Sequence, residues 1–145
     1  MKNRFNIFGT SSLVILWVYT AGSKVFDFQE FHHQLKLQHF GAQLTAFLIW
    51  AIPAIEITTP ILLAITKTRV VGLYLSASLL LMFTGYVALI LSGFYAQVPC
   101  SCGGVLKEMS WPEHLLFNLS FLLINIGTIG FIHHQERRSG KLATT

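Results

Sequence analysis

The sequence predicts an all-α fold: a polytopic membrane four-helix bundle with a short interfacial helix between the first and second spans. Three observations carry that expectation. Hydrophobic residues make up 53% of the 145-residue chain and charged residues 11%, against about 25% charged in soluble domains. Mean hydropathy is +0.60, so there are too few charges to coat a water-exposed surface. The basic residues lie near the ends of apolar runs, as topology signals do. The formal charge of +4 is therefore not read as a nucleic-acid footprint, and no nucleic-acid partner is expected.

Residues 1–145 read as one membrane domain. Lys2 and Arg4 precede an apolar run over about 7–22. A basic start before a short apolar run also describes a signal peptide. Trp17, Tyr19 and the continuing membrane pattern favour a retained first span. The segment 23–41 is the most polar of the chain. Phe28, Phe31 and Leu35 recur there at helical spacing, with Glu30, His32, His33, Lys36 and His39 mostly on other faces. That pattern predicts an amphipathic helix lying on the membrane surface. His32 and His33 are sequence neighbours and point apart on a helix, so no metal site is assigned to them.

A second span is expected over about 42–66, interrupted by Pro53 and Pro60. Each proline frees the carbonyl four residues back, which predicts a kinked helix. Glu56 is the one acidic residue placed inside the bilayer. A carboxyl there is costly unless neutral, hydrogen-bonded or facing a polar cavity, which makes it a functional candidate. A third span over about 70–95 has no charge, and Gly72 and Ser76, four apart, predict a close helix–helix approach. The loop 96–110 follows. Ser110 and Glu113 have the spacing of a capping box, with Pro112 in the first turn, and start a fourth span over about 112–132. His114, Asn118 and Asn125 fall on one face of it and are expected to face the bundle interior. Counted from Ala42 and Pro112 at ~1.5 Å per residue, Glu56 and Asn125 lie about 20 Å below one face and are expected partners. A tail over 133–145 completes the chain.

Lys2, Arg4, Lys67, Arg69, Arg137, Arg138 and Lys141 fall on one side of this arrangement, and Lys24, Lys36 and Lys107 on the other. The positive-inside rule then puts both termini in the cytoplasm of a bacterial inner membrane and the 96–110 loop outside.

That loop carries the only two cysteines, Cys100 and Cys102, in Val98-Pro99-Cys100-Ser101-Cys102-Gly103-Gly104. Outside the cytoplasm disulfides form and persist. A Cys-x-Cys bridge closes a very small ring, and few backbone conformations meet its geometry. It also constrains little chain, so it is a poor structural staple, whereas strained bridges exchange readily. Redox exchange is the leading reading. A soft-metal site for Cu(I) or zinc with His114 as third ligand, and an inert or minor structural bridge, stay open as alternatives.

With these residues in view, the chain resembles the MauE branch of the DoxX-like membrane proteins. Gly22-Ser23-Lys24-Val25-Phe26 with Phe31 resembles the segment after the family's first span. Pro53-Ala54-Ile55-Glu56 resembles its Pro-x-x-Glu. Pro99 to Gly104, followed by Trp111 and Asn118, resembles its cysteine loop and fourth-span start. Gly103-Gly104 departs from the pattern, since many relatives place an aromatic residue beside one glycine. The resemblance implies a four-helix cytoplasmic-membrane protein of thiol redox chemistry. The MauE branch is linked to maturation of disulfide-rich methylamine dehydrogenase alongside a thioredoxin-like partner, and more distant relatives to quinone-linked oxidoreductases.

The expected function is thiol–disulfide exchange between Cys100 and Cys102 and a thioredoxin-like extracytoplasmic protein or a secreted disulfide client. His114 tunes the thiolate or accepts its proton. A quinone is the one cofactor considered, near Glu56, Asn118 and Asn125. The alternative classes are a non-enzymatic assembly subunit and a Cu(I)- or zinc-handling membrane protein.

Overall fold

A segment surrounded by lipid must satisfy its backbone hydrogen bonds internally, and helices do so. The computed structural model, which describes residues 2–37, 41–93 and 109–142, holds five helices and, among the described residues, no strand. They are α1 (Lys2–Phe26), α2 (Phe28–Leu37), α3 (Ala42–Ala64), α4 (Arg69–Leu91) and α5 (Trp111–Leu142). The stretch with Cys100 and Cys102 lies outside the described residues.

Helix α1 packs on α3 and α5, and α4 packs on the same two helices. Their shared core is six leucines around one tryptophan: Leu13, Leu16, Trp17, Leu63, Leu73, Leu80 and Leu122 form one buried cluster drawn from all four. Helix α2 rests on α3 and α1. Its apolar face buries Phe31 and Leu35 against Ile49, with Leu48 and Ile52 alongside. The Phe28 ring lies 5.4 Å from that of Trp50. The first turns of α3 are thus occupied with α2.

Local chemistry explains the ends and interruptions. Helix α3 runs through Pro53 and Pro60 without a break. Where it stops, Thr68 Oγ1 donates to Leu62 O at 3.0 Å and Arg69 Nε to Leu63 O at 3.3 Å. Both satisfy carbonyls that have no partner in the helix itself. Gly72 lets α4 approach this end closely: a Cβ there would meet Leu63 N at 2.9 Å. The expected close approach at Gly72 is present. At the start of α5, Glu113 Oε2 accepts from Ser110 N at 2.8 Å and from Ser110 Oγ at 2.7 Å. The glutamate half of the expected capping box therefore forms, while the serine hydroxyl turns to the carboxylate.

The surface is strongly apolar, and the interior sets polar and charged side chains beside the leucine-rich cluster, unlike a water-soluble domain. Phe8, Ile15, Phe47, Trp50, Met82, Leu116 and Leu123 are exposed, while Lys24, Glu56, Ser76, His114, Asn118, Asn125 and Thr128 are buried. Among the described residues three helices are long and apolar enough to cross a membrane: Ala42–Ala64, Arg69–Leu91 and Trp111–Gln135. Helix α1 is long enough but is not in that set. It carries Asn6, Thr10, Ser11, Ser12, Thr20 and Lys24. Several of its hydroxyls bond back to their own helix, Ser12 Oγ to Phe8 O at 2.9 Å and Thr20 Oγ1 to Trp17 O at 3.2 Å. Such back-bonding gives these hydroxyls a partner where water is scarce.

Candidate functional site

The polar residues of the interior are stacked in layers. The first layer is built on an ion pair. Lys24, in the last turn of α1, donates to Glu56 Oε1 of α3 at 2.8 Å. The two side chains are 3% and 2% exposed. The ammonium also reaches Thr20 O at 3.5 Å and lies 5.8 Å from the centroid of the Phe31 ring. That distance permits a cation–π attraction, so the amphipathic helix α2 contributes directly to the site. Helix α5 adds His114 and Asn118. Both are buried, and both line one small cavity with Lys24, Glu56, Trp17, Thr20, Leu80 and Phe83.

The position of Lys24 corrects the sequence reading, which counted it as an outer-loop topology signal. It is instead the counter-charge that a buried Glu56 requires. Burying an ion pair costs several kcal/mol per ion in desolvation unless geometry and further hydrogen bonds compensate. Here one carboxylate oxygen is still available: Glu56 Oε2 and Asn118 Nδ2 are buried and have no hydrogen-bond partner among the described residues.

The second layer is neutral and lies about two helical turns away along α1 and α5. Trp17 Nε1 donates to Ser76 Oγ at 2.8 Å. With the Asn125 amide oriented to satisfy both ends, its oxygen accepts from Ser76 Oγ at 2.7 Å and its nitrogen donates to Leu73 O at 3.2 Å. This chain ties α1, α4 and α5 together. Replacing Ser76 with alanine strands the Trp17 N–H and removes the donor to Asn125. The expected loss is about 1 kcal/mol, within the ~0.6–1.7 kcal/mol range of interhelical hydrogen bonds in membranes, read as a lower unfolding midpoint in denaturing detergent.

Asn125 and Glu56 are therefore not the partners that counting residues suggested. Glu56 shares its level with His114 and Asn118, and Asn125 sits deeper with Ser76. The count failed because α3 begins well before the shared core, where it packs on α2. The expectation that His114, Asn118 and Asn125 face the interior agrees with their burial, at 2%, 6% and 0% exposure. Lys24, Phe31, Trp17 and Ser76 were missed as site residues. An unpaired intramembrane glutamate was the signal that a cation had to be near.

The cavity has a volume of about 30 Å³, enough for about one water and far below the ~300–1,000 Å³ of sites that enclose a cofactor-sized ligand. The larger groove between α1 and α3, about 480 Å³, is lined only by apolar residues and glycine, from Val14 to Ala64. It offers a quinone carbonyl no side-chain donor. Neither the small cavity nor the apolar groove fits a quinone.

No curated protein and no solved structure matches the chain. The family model described as methylamine utilisation protein MauE matches residues 2–132. That range holds the whole buried site and both cysteines. With its apolar exterior and three membrane-length helices, the chain is a membrane protein that belongs to the MauE family.

Proposed function

We propose that this protein is a membrane thiol–disulfide oxidoreductase of four spans, with α1 as the first span and α2 at the interface. Cys100 and Cys102 exchange with a thioredoxin-like extracytoplasmic protein that serves the maturation of secreted disulfide-bearing clients. A thiolate attacks the partner's disulfide, a mixed disulfide forms, and the second cysteine resolves it. The observation that carries this reading is the burial of titratable groups beside the helix that follows the cysteine pair. Only Gly103–Ser110 separates Cys102 from α5, and His114, in the first turn of α5, lines the cavity of Lys24 and Glu56. A loop that merely staples the chain needs no such cluster at its root.

The orientation follows from charge. With Lys24 withdrawn into its ion pair, Lys36 and Lys107 alone oppose Lys2, Arg4, Lys67, Arg69, Arg137, Arg138 and Lys141. This sharpens the asymmetry that places both termini in the cytoplasm of the bacterial inner membrane and the cysteines outside.

The test is thiol trapping in intact cells. Membrane-impermeant alkylation after reduction is expected to label the cysteines of the native chain, and before reduction to label few of them. Cys100→Ser or Cys102→Ser is expected to accumulate a mixed disulfide with a partner, which the trapped species identifies. Thiols that are free before reduction, with no partner trapped in either variant, would return the protein to the class of non-catalytic assembly subunits.

A further inference from the structure

We propose that Lys24, Glu56, Asn118 and His114 form a water-filled proton-transfer site that holds the proton displaced during thiol–disulfide exchange. The inference rests on the redox reading of Cys100 and Cys102 and adds to it the group that handles the proton.

Three observations carry it. Glu56 Oε2, an acceptor, and Asn118 Nδ2, a donor, are both buried without a partner among the described residues. Both residues line the same cavity of about 30 Å³. A single water fits that volume, and a buried water requires such polar partners. The same cavity is lined by His114, at the end of α5 nearest the cysteines in sequence, and by Lys24, whose ammonium holds the other carboxylate oxygen at 2.8 Å. Among the described residues that line the cavity, Lys24, Glu56 and His114 are the titratable ones; α4 supplies Leu80 and Phe83, and the Phe31 ring of α2 lies beside Lys24.

Exchange at neutral pH is accelerated by such a site. An ordinary thiol with pKa ≈ 8.5 is mostly protonated at neutral pH, and the thiolate is the nucleophile. The first thiol gives its proton to the site, and its sulfur attacks the partner's disulfide. One sulfur–sulfur bond forms, one breaks, and the leaving sulfur takes a proton. The second thiol then attacks the mixed disulfide, which closes the Cys100–Cys102 bond and releases the partner. Two hydrogens and two electrons pass from the cysteine pair to the partner's two sulfurs. The pair is oxidised, the partner reduced, and no other oxidant is required. The site lends a base and recovers its initial state.

The experiment compares exchange with oxidised glutathione by purified full-length protein in lipid nanodiscs, across neutral to alkaline pH. The variant is Lys24→Met with Glu56→Gln, which removes both charges together and keeps side chains of similar size. Helical circular dichroism and the thermal midpoint establish that it is folded. At neutral pH the double variant is expected to exchange at least tenfold more slowly than the native chain. The deficit is expected to close at alkaline pH, where the thiols ionise without help. A structural defect would instead slow exchange at every pH, and that result, like equal rates at neutral pH, would overturn the inference while leaving the redox function standing. A native chain that exchanges no faster than a free dithiol would overturn the proposed function itself.

Discussion

Single replacement of either member of the Lys24–Glu56 pair is expected to be the most damaging change available in the described interior. Lys24→Met leaves the Glu56 carboxylate buried without its cation, and Glu56→Leu leaves the ammonium beside the ring of Phe31. Removing one partner of a buried pair costs about 3–5 kcal/mol, whereas replacing both with apolar groups is often neutral or stabilising. The two side chains are 3% and 2% exposed, so water relieves little of that penalty. The double replacement Lys24→Met, Glu56→Leu is therefore expected to recover most of the stability lost by each single one. Unfolding in mixed micelles of rising denaturing-detergent fraction, followed by helical circular dichroism, measures all four proteins. If the single and double variants unfold within 1 kcal/mol of one another, a loss set by side-chain volume rather than by an unpaired charge would account for the data.

This pair also marks the boundary of what the sequence can disclose. Periodicity and capping place helices well: Phe28, Phe31 and Leu35 announce α2, and Ser110 with Glu113 announces the start of α5. These signals are local, and the residues that carry them are neighbours along the chain. Lys24 is different. A lysine at the end of an apolar run satisfies the positive-inside pattern and the demand of a buried carboxylate equally well, and only the crossing of α1 over α3 decides between them. The depth of Glu56 is non-local in the same way. It depends on how many turns of α3 are taken up by α2 before the shared core begins. His114 and Asn118 were legible because one helix face carries both, but their convergence on Glu56 required the packing of α5 against α1. Ser76 looked like a small residue for close packing, and its hydroxyl is in addition the junction between Trp17 and Asn125.

The second large effect is expected at Gly72, where close approach can be separated from helix propensity. A Cβ added there would stand 2.9 Å from Leu63 N and 3.0 Å from Leu62 C. Those are backbone atoms at the end of α3, and Thr68 and Arg69 hold the carbonyls of the same two residues. The obstacle therefore cannot rotate away as a side chain would. Relief requires α3 and α4 to separate, which loosens Leu63 from Leu73 and draws Ser76, one turn further along α4, away from Trp17. Overpacking of this kind costs about 1–3 kcal/mol, and Gly72→Val is expected at or above the upper end. Gly85 lies on the same helix, and a Cβ there would meet nothing within 4 Å. Alanine is the better helix former by about 1 kcal/mol, so Gly85→Ala is expected to leave the unfolding midpoint unchanged or raise it, while Gly72→Ala lowers it. Opposite shifts for one substitution on one helix would locate the cost in the α3–α4 contact. Equal shifts would assign it to the helix alone and remove Gly72 from the account of how this fold is held together.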